Sequence, residues 1–326
     1  MAQDTEVDLA EPDRRPVLRP MSRWQRFRRD RFLLLLGLPG VLLVLLFQYV
    51  PLLGNVIAFK DYQPYLGIVE SPWVGLDNFA IIFNGDPAFV NALTNTLIIS
   101  FVQIVFVFPI PIALALLMNS LLSERIKRTV QSILYLPHFM SWVIVVALFQ
   151  HMLGNAGLYN TWARANDFFE VNVIGDPDLF IALITSQVIW KDAGWGTIIF
   201  LAAISRVDIE LFESVAVDGG GRIRQLWHVT LPAIRPVIIL LLILKLGDVL
   251  TVGFEQIFLQ QGPVGLQASE VLDTYVYNRG IVGGNWGTSA AVGLVKGLVG
   301  TVLVLGANKV AHLFGERGIY SSKKDL

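Results

Sequence analysis

Six long apolar stretches constrain this 326-residue chain more than any other feature. A helix needs about 20 predominantly apolar residues to cross the hydrocarbon core of a bilayer. The stretches are predominantly apolar over helical lengths, without the regular alternation of apolar and polar residues that barrel strands show. The sequence therefore predicts an all-α membrane protein with six transmembrane helices, at 32–59, 93–118, 132–153, 179–204, 236–259 and 287–313.

The distribution of basic residues predicts the orientation of these helices. Nineteen of the 25 Lys and Arg residues lie in the N-terminal tail, in the loops after the second and fourth spans, and at the C-terminal end. Basic residues accumulate in cytoplasmic loops, so both termini are expected in the cytoplasm. The tail, 1–30, combines acidic, basic and proline residues and is predicted to be disordered. The first span lacks a small-residue cleavage site and is expected to remain as a helix.

Several classes of chemistry are excluded or lack support. The chain contains no Cys, which excludes disulfides, thiolate catalysis and Cys-based metal sites. The four His are scattered without metal-ligand spacing, and no G-x-S-x-G motif is present. No Gly-Lys dipeptide exists either, so the chain cannot build a phosphate-binding P-loop. We therefore expect no catalytic residues, no metal and no cofactor in this chain.

The loop between the fourth and fifth spans, 205–235, has a helical pattern of its own. Asp208 is positioned to N-cap a short helix, and Gly219 is expected to end it because Gly readily adopts the left-handed conformation. A second amphipathic turn follows, and Pro232 is predicted to stop it. From pattern alone, this loop is either a solvated linker with an interfacial helix or a helical knob that docks on a cytoplasmic partner.

A motif within this loop carries a family resemblance. From Glu213 to Pro232 the sequence reads ESVAVDGGGRIRQLWHVTLP. It resembles the EAA loop of permease subunits of binding-protein-dependent ABC importers, whose pattern is E-A-A-x-x-x-G-x9-I-x-L-P. Glu213 and Gly219 match the Glu and the Gly, and Val229 stands at the Ile, although Ser214 and Val215 replace the two Ala.

Further motifs extend the resemblance to roughly 30–320. Segments 73–79, 95–97, 136–142 and 190–196 are similar to oligosaccharide-type permeases. The resemblance implies the type I importer permease fold of the maltose-permease-like superfamily, and one half of a heterodimeric membrane domain for sugar import by alternating access. The implied partners are a second permease, two copies of an ABC ATPase that bind ATP and Mg²⁺, an extracytoplasmic solute-binding protein, a sugar substrate and membrane lipid, but no nucleic acid. The implied location is the bacterial cytoplasmic (inner) membrane.

The resemblance also implies roles for residues of the loop. Glu213 would meet a basic residue of the ATPase, and the apolar face of the first helix would form a hydrophobic seat. Gly219 would supply the sharp turn between the two helices. The residues expected to couple the permease to the ATPase are Leu211, Phe212, Glu213, Val215, Ala216, Asp218, Gly219, Leu231 and Pro232.

Charged and polar residues inside the predicted spans are the next candidates. Each charge costs about 2.5–3.5 kcal/mol at the bilayer centre, so these side chains are expected to face the bundle interior. They either form helix-to-helix ion pairs and partner contacts, such as a pair of Lys245 with Asp248, or line a sugar path. A cation such as Lys191 or Lys296 in the path would favour acidic sugars. The candidate path residues are Gln187, Trp190, Lys191, Asp192, Trp195, Asp248, Glu255 and Lys296.

Two other functional classes remain as alternatives. An ion-coupled secondary transporter could use Asp192 or Asp248 as its ion site, but it predicts an inverted internal repeat, and no matching pair of broken spans is evident. A membrane-embedded enzyme or assembly protein would need a polar catalytic cluster, which the sequence does not show. Neither class accounts for the loop from Glu213 to Pro232.

Overall fold

A computed structural model describes residues 23–121, 123–313 and 315. This part of the chain is almost entirely helical and contains no β-strand, only an isolated antiparallel bridge between Lys60 and Trp73. The chain divides into two units, Met1–Gly54 and Asn55–Leu326. The predicted all-helical class is therefore confirmed for the described residues.

The described part of the first unit is helical. Helix α1 spans Arg23–Val44 and a π-helical segment, Leu45–Tyr49, follows it. The predicted disordered tail ends earlier than expected, because residues 23–30 are already helical, whereas its first 22 residues lie outside the described part of the chain. Large apolar side chains such as Phe32 are exposed on this helix. A helix that is apolar all round must be covered by lipid or by protein.

A 3₁₀ segment, Val50–Phe59, leads into the second unit, which contains all the other helices. The first group comprises α2 Gly67–Glu70, α3 Ala80–Phe83, α4 Pro87–Val102, α5 Pro109–Asn119, α6 Glu124–Tyr135, α7 Trp142–Leu153, α8 Leu158–Ala165 and α9 Phe180–Ile204. The second group comprises α10 Ile209–Val217, α11 Arg222–Gln225, α12 Leu231–Gly247, α13 Phe254–Phe258, α14 Gln261–Val264, α15 Leu266–Ser269, α16 Leu272–Val276 and α17 Trp286–Leu313.

Five helices of the described chain are long and apolar enough to cross a membrane, one fewer than predicted. The remaining predicted span, 179–204, is present as the 25-residue helix α9. Its central Gln187, Lys191 and Asp192 make it less apolar than the others, and it has many buried residues. The five are Asp30–Phe59, Pro87–Asn119, Trp142–Ala165, Arg222–Gly247 and Trp286–Leu313.

The predicted third span, 132–153, is interrupted. Helix α6 ends at Tyr135, a 3₁₀ turn covers Leu136–Phe139, and α7 begins only at Trp142. Pro137 lies in the interruption, and proline disfavours helical geometry at the residue before it. Ser141 then caps α7 by accepting a hydrogen bond from the Ile144 N–H at 3.4 Å.

The predicted fifth span, 236–259, lies earlier in the chain. A continuous helix runs over Arg222–Gly247, through Pro232, which was predicted to stop it. A π-helical segment, Leu226–Thr230, precedes Pro232, and its wider turn accommodates a residue that lacks an N–H. The same arrangement occurs earlier, where a π segment over Gln103–Val107 precedes Pro109. After Gly247 the chain leaves the helix and resumes it at α13.

Helix α9 packs closely against α5 and α6. A Cβ at Gly196 would lie 3.0 Å from Cγ of Pro111, and a Cβ at Gly194 would overlap the carbonyl group of Leu134. These two glycines therefore allow neighbouring backbones to approach. An apolar cluster lies further along α5 and α9, with one residue from α12, and comprises Ala115, Met118, Phe200, Leu201, Ile204 and Ile234.

We predict that Gly194→Ala destabilises the fold, because the added methyl group collides with the backbone of α6. Overpacking of this kind costs about 1–3 kcal/mol, so thermal unfolding in detergent should begin at a clearly lower temperature. The matched control is Gly306→Ala on α17, where a Cβ would meet no atom within 4 Å. Equal thermal midpoints for the two variants would contradict this account of the α6–α9 contact.

Candidate functional site

The loop after α9 forms a helix–turn–helix. Helix α10 begins after Asp208, which occupies the predicted N-cap position. Its side chain makes no capping hydrogen bond, but its carbonyl oxygen accepts from the Leu211 N–H at 3.2 Å. Glu213 lies on this helix with an exposed side chain. Leu211 is 49% exposed. Helix α10 thus presents both a charge and an apolar side chain to its surroundings.

The turn between α10 and α11 is held by backbone contacts. Gly219 has a φ of +74°, in the left-handed region, and its neighbour Gly220 donates its N–H to the Val215 carbonyl at 2.8 Å. Nε2 of Gln225 donates to the carbonyl oxygen of Phe212 at 3.1 Å. These bonds fix the second helix of the loop against the first.

The predicted apolar face of α10 divides into two parts. Phe212 and Val215 are partly buried within the loop, whereas Leu211 and Ala216 are exposed. Asp218 and Pro232 are exposed as well, and Leu231 is partly buried. Sequence reasoning left two exposed residues, Ile209 and Val217, out of this face. Together with Leu211 and two residues of the second helix, they form what we call the loop surface: Ile209, Leu211, Val217, Ile223 and Trp227.

A polar cluster lies at the centre of α9. Lys191 is only 7% exposed, and its Nζ donates to the carbonyl oxygen of His138 at 2.6 Å. Nδ1 of His138 and Oδ1 of Asp192 are hydrogen-bonded at 2.8 Å. Nζ of Lys191 also lies 5.5 Å from the ring centroid of Trp142. The lysine thus holds the segment before α7 against α9, whereas the Asp192 side chain remains 38% exposed.

Two tryptophans of α9 extend this cluster. The Trp195 ring stacks on the His138 ring at 4.5 Å with an interplanar angle of 5°. Trp190 packs edge-on against Phe149 at 6.0 Å. Trp190 and Trp195 are 40% and 44% exposed, so each offers part of an aromatic face. We call Asp192, Trp190 and Trp195 the exposed part of the polar centre.

Gln187 does not line an open path. It is fully buried, and its Nε2 donates to Oε1 of Gln260 at 3.0 Å. Its Oε1 accepts from Nε2 of Gln256 at 2.8 Å and from Nε2 of Gln260 at 3.0 Å. These bonds join α9 to the segment around α13. The side chain fixes the fold and is not accessible to a ligand.

The other candidate path residues lie elsewhere. Lys296 forms an ion pair with Asp273, and both line an open cavity of about 610 Å³ together with Asp248. The predicted pair of Lys245 with Asp248 is not among the ion pairs of the described residues. Instead, Nζ of Lys245 donates a hydrogen bond to Oε1 of Gln103 at 3.4 Å. Glu255 is exposed on α13, outside both groups.

Comparisons with known proteins place the chain in a family. Residues 106–314 match the model of binding-protein-dependent transport system inner membrane components. The polygalacturonan/rhamnogalacturonan transport system permease protein YteP of Bacillus subtilis is 47% identical, over 90% of this chain and 91% of that protein. Protein LplB of the same organism is 44% identical, over 94% of this chain and 97% of that protein. The chain belongs to this permease family.

A solved structure supports the same fold. A chain of a bacterial alginate ABC transporter, crystallised in complex with an alginate pentasaccharide-bound periplasmic protein, matches with a TM-score of 0.82 at 35% identity. The match covers 91% of the permease and 99% of that chain. The permease therefore has the ABC importer permease fold, as its sequence implied, and it is a multi-pass membrane protein.

We predict that Gln187→Ala destabilises the permease, because it leaves the buried Oε1 of Gln260 without its donor and removes one of the two acceptors of the Gln256 and Gln260 amide groups. A stranded buried polar group costs roughly 1–3 kcal/mol, which should lower the thermal midpoint in detergent. Gln63→Ala, in a partly exposed loop, serves as the control amide. An unchanged midpoint for Gln187→Ala would show that water satisfies the cluster.

Proposed function

We propose that the permease is one half of a heterodimeric membrane domain in an ATP-driven importer of oligosaccharides, located in the bacterial cytoplasmic membrane. In this proposal helix α9 also crosses the membrane, which brings the number of spans to six. The bias of basic residues supports cytoplasmic termini. The observation that carries the proposal is the helix–turn–helix loop with its exposed loop surface, in a chain 47% identical to a polysaccharide permease. The partners are a second permease, two ABC ATPase subunits and a solute-binding protein.

The loop surface is the contact for the ATPase in this proposal. Large apolar side chains on a water-facing loop are costly unless a partner covers them, and Ile223 and Trp227 are 75% and 63% exposed. Glu213 adds a negative charge that a basic residue of the ATPase can meet. ATP and Mg²⁺ bind to the ATPase, whose closure moves α10 and, through it, the membrane helices, so that the substrate path alternates between the two sides.

We predict that Glu213→Lys uncouples transport from ATP hydrolysis. Reversal of the charge places two cations against each other at the docking surface, so the ATPase should be lost from the complex when it is purified in detergent. ATP-dependent oligosaccharide uptake in proteoliposomes should fall at least tenfold, while the permease remains inserted. The control is Glu124→Lys on α6, a reversal at another exposed carboxylate. Full uptake by Glu213→Lys would refute the coupling role.

The turn supplies an independent test of the same contact. Gly219→Asp forces a non-glycine residue into the left-handed conformation and tilts α10 relative to the second loop helix. We expect ATP-dependent uptake to fall. Gly219→Val should lower uptake further, because a β-branched residue adopts this conformation far less readily than Asp does. Comparable uptake in wild type and Gly219→Asp would contradict this account, and uptake without ATP would contradict the importer itself.

The exposed part of the polar centre is the proposed sugar contact on α9. Aromatic faces suit the apolar faces of sugar rings, and the Asp192 carboxylate accepts hydrogen bonds from hydroxyl groups. Lys191 is engaged with His138 and serves as the support of this site. Asp248 and Lys296 line the separate cavity between α12 and α17, a second part of the path. Similarity to the polygalacturonan permease and the alginate transporter supports a uronate-containing substrate.

We predict that Trp195→Ala lowers the maximal rate of uptake of galacturonan oligosaccharides, because the ring that covers His138 and faces the path is removed. Trp195→Phe keeps an aromatic face and should retain most of the activity. Uptake and ATPase stimulation are measured together in proteoliposomes. Loss of ATPase stimulation along with uptake would indicate a structural defect, whereas loss of uptake alone identifies a sugar contact. Equal uptake of neutral and acidic oligosaccharides by the wild type would contradict the uronate preference.

A further inference from the structure

An open cavity of about 530 Å³ lies at the end of the second unit where α9 begins. Its walls come from the C-terminal turn of α7, the turn that leads into α8, the segment 172–175 before α9, and Pro263 on α14. The loop 205–235, which we call the coupling loop after its proposed role, follows the opposite end of the 25-residue helix α9. The cavity therefore lies on the other side of the membrane from the coupling loop, which is the side that receives the substrate in the proposed importer.

Neutral polar side chains converge on this cavity. Four of them line it, all exposed: Gln150, His151, Asn155 and Asn172. None of the four side chains is hydrogen-bonded to another residue of the described chain, so their donors and acceptors are available to a ligand. No Asp, Glu, Lys or Arg lines the cavity. Amides and imidazole match hydroxyl groups, because each of them both donates and accepts hydrogen bonds.

Glycines make part of the cavity wall from backbone alone. A Cβ at Gly154 would lie 2.5 Å from the carbonyl oxygen of Gln150, and a Cβ at Gly157 would lie 2.8 Å from that of His151. Neither position has room for a side chain. The wall is therefore tightly built at this turn, and the neutral side chains project from a fixed frame, as in preformed ligand sites.

We propose that this cavity is a saccharide subsite on the outer side of the permease, which holds hydroxyl groups of the oligosaccharide by neutral hydrogen bonds. The proposal rests on the proposed function and adds a site to it. Lys191 lies eleven residues beyond the first residue of α9, which corresponds to about 16 Å along the helix. Trp190 packs against Phe149, next to the cavity residue Gln150, so the near wall of the cavity adjoins the polar centre, whereas segment 172–175, before the start of α9, forms another wall. A chain of several units therefore fills more of the cavity than a dimer does. The subsite therefore selects for chain length.

The test uses the complete importer in proteoliposomes, with a galacturonan dimer and a galacturonan pentamer as probes. The double variant Gln150→Ala/Asn172→Ala removes two amides from the cavity. Loss of two hydrogen bonds predicts about a tenfold lower ratio of maximal rate to half-saturating concentration for the pentamer, with the ratio for the dimer within about twofold of wild type. The matched control is Gln267→Ala, an exposed amide on α15 outside the cavity.

Other outcomes overturn the proposal in distinct ways. Equal loss for dimer and pentamer, or a double variant that behaves like the control, removes the chain-length subsite. A loss for both probes that a higher concentration of solute-binding protein restores identifies the cavity as a docking site for that protein instead. Asn172→Asp is the second variant. It keeps the side-chain shape and adds a charge that repels uronates, so pentamer uptake should again fall selectively.

A direct binding measurement separates this proposal from the proposed function. Pentamer binding to the detergent-solubilised complex, without solute-binding protein, is followed by ligand-observed NMR for wild type and the double variant. Weaker pentamer binding by the double variant supports the subsite, whether or not uptake depends on ATP. An absence of ATP-dependent uptake would refute only the importer. If the wild type takes up the pentamer in an ATP-dependent manner, but the wild type and the double variant bind the pentamer equally well, only the subsite is refuted.

Discussion

The buried ammonium group of Lys191 organises the membrane domain. A charge in an apolar bundle is strongly destabilising unless it is paired and hydrogen-bonded. Nζ of Lys191 donates a hydrogen bond to the carbonyl oxygen of His138, in the 3₁₀ turn that interrupts the predicted third span. The turn after Pro137 leaves this carbonyl available to a side chain. The interruption and the lysine therefore depend on each other, and together they fix α9 relative to the start of α7.

Other contacts of α9 follow from this arrangement. Gly194 lets the Leu134 backbone approach, Trp195 stacks on His138, and Gln187 joins the helix to Gln256. Helix α9 thus carries the exposed part of the polar centre and leads directly into the helix–turn–helix loop. A movement of this loop would act on the helix that carries the proposed sugar contact, which is what the proposed alternating access requires.

The sequence predicted some elements closely and others poorly. The spans 179–204 and 287–313 correspond to Phe180–Ile204 and Trp286–Leu313, since their apolar runs end where the helices end. The predicted third span is interrupted at Pro137, and the helix predicted as the fifth span begins earlier and continues through Pro232. Hydropathy does not reveal whether a proline breaks a helix or is accommodated by a π turn, because that depends on local hydrogen bonds. Gln187 was expected in the path but is buried, since its orientation depends on the partners that α13 provides.

The sequence by itself determined the helical membrane class, the permease family and the position of the helix–turn–helix loop, because apolar run length and motif spacing are local properties of the chain. Only the tertiary structure decided which polar residues support the fold and which remain available. Lys191 and Gln187 find acceptors on distant segments and are buried, whereas on the same helix Asp192 stays partly exposed and Trp195 exposed. The physical reason is that a buried polar group needs a partner, and non-local packing decides where a partner lies.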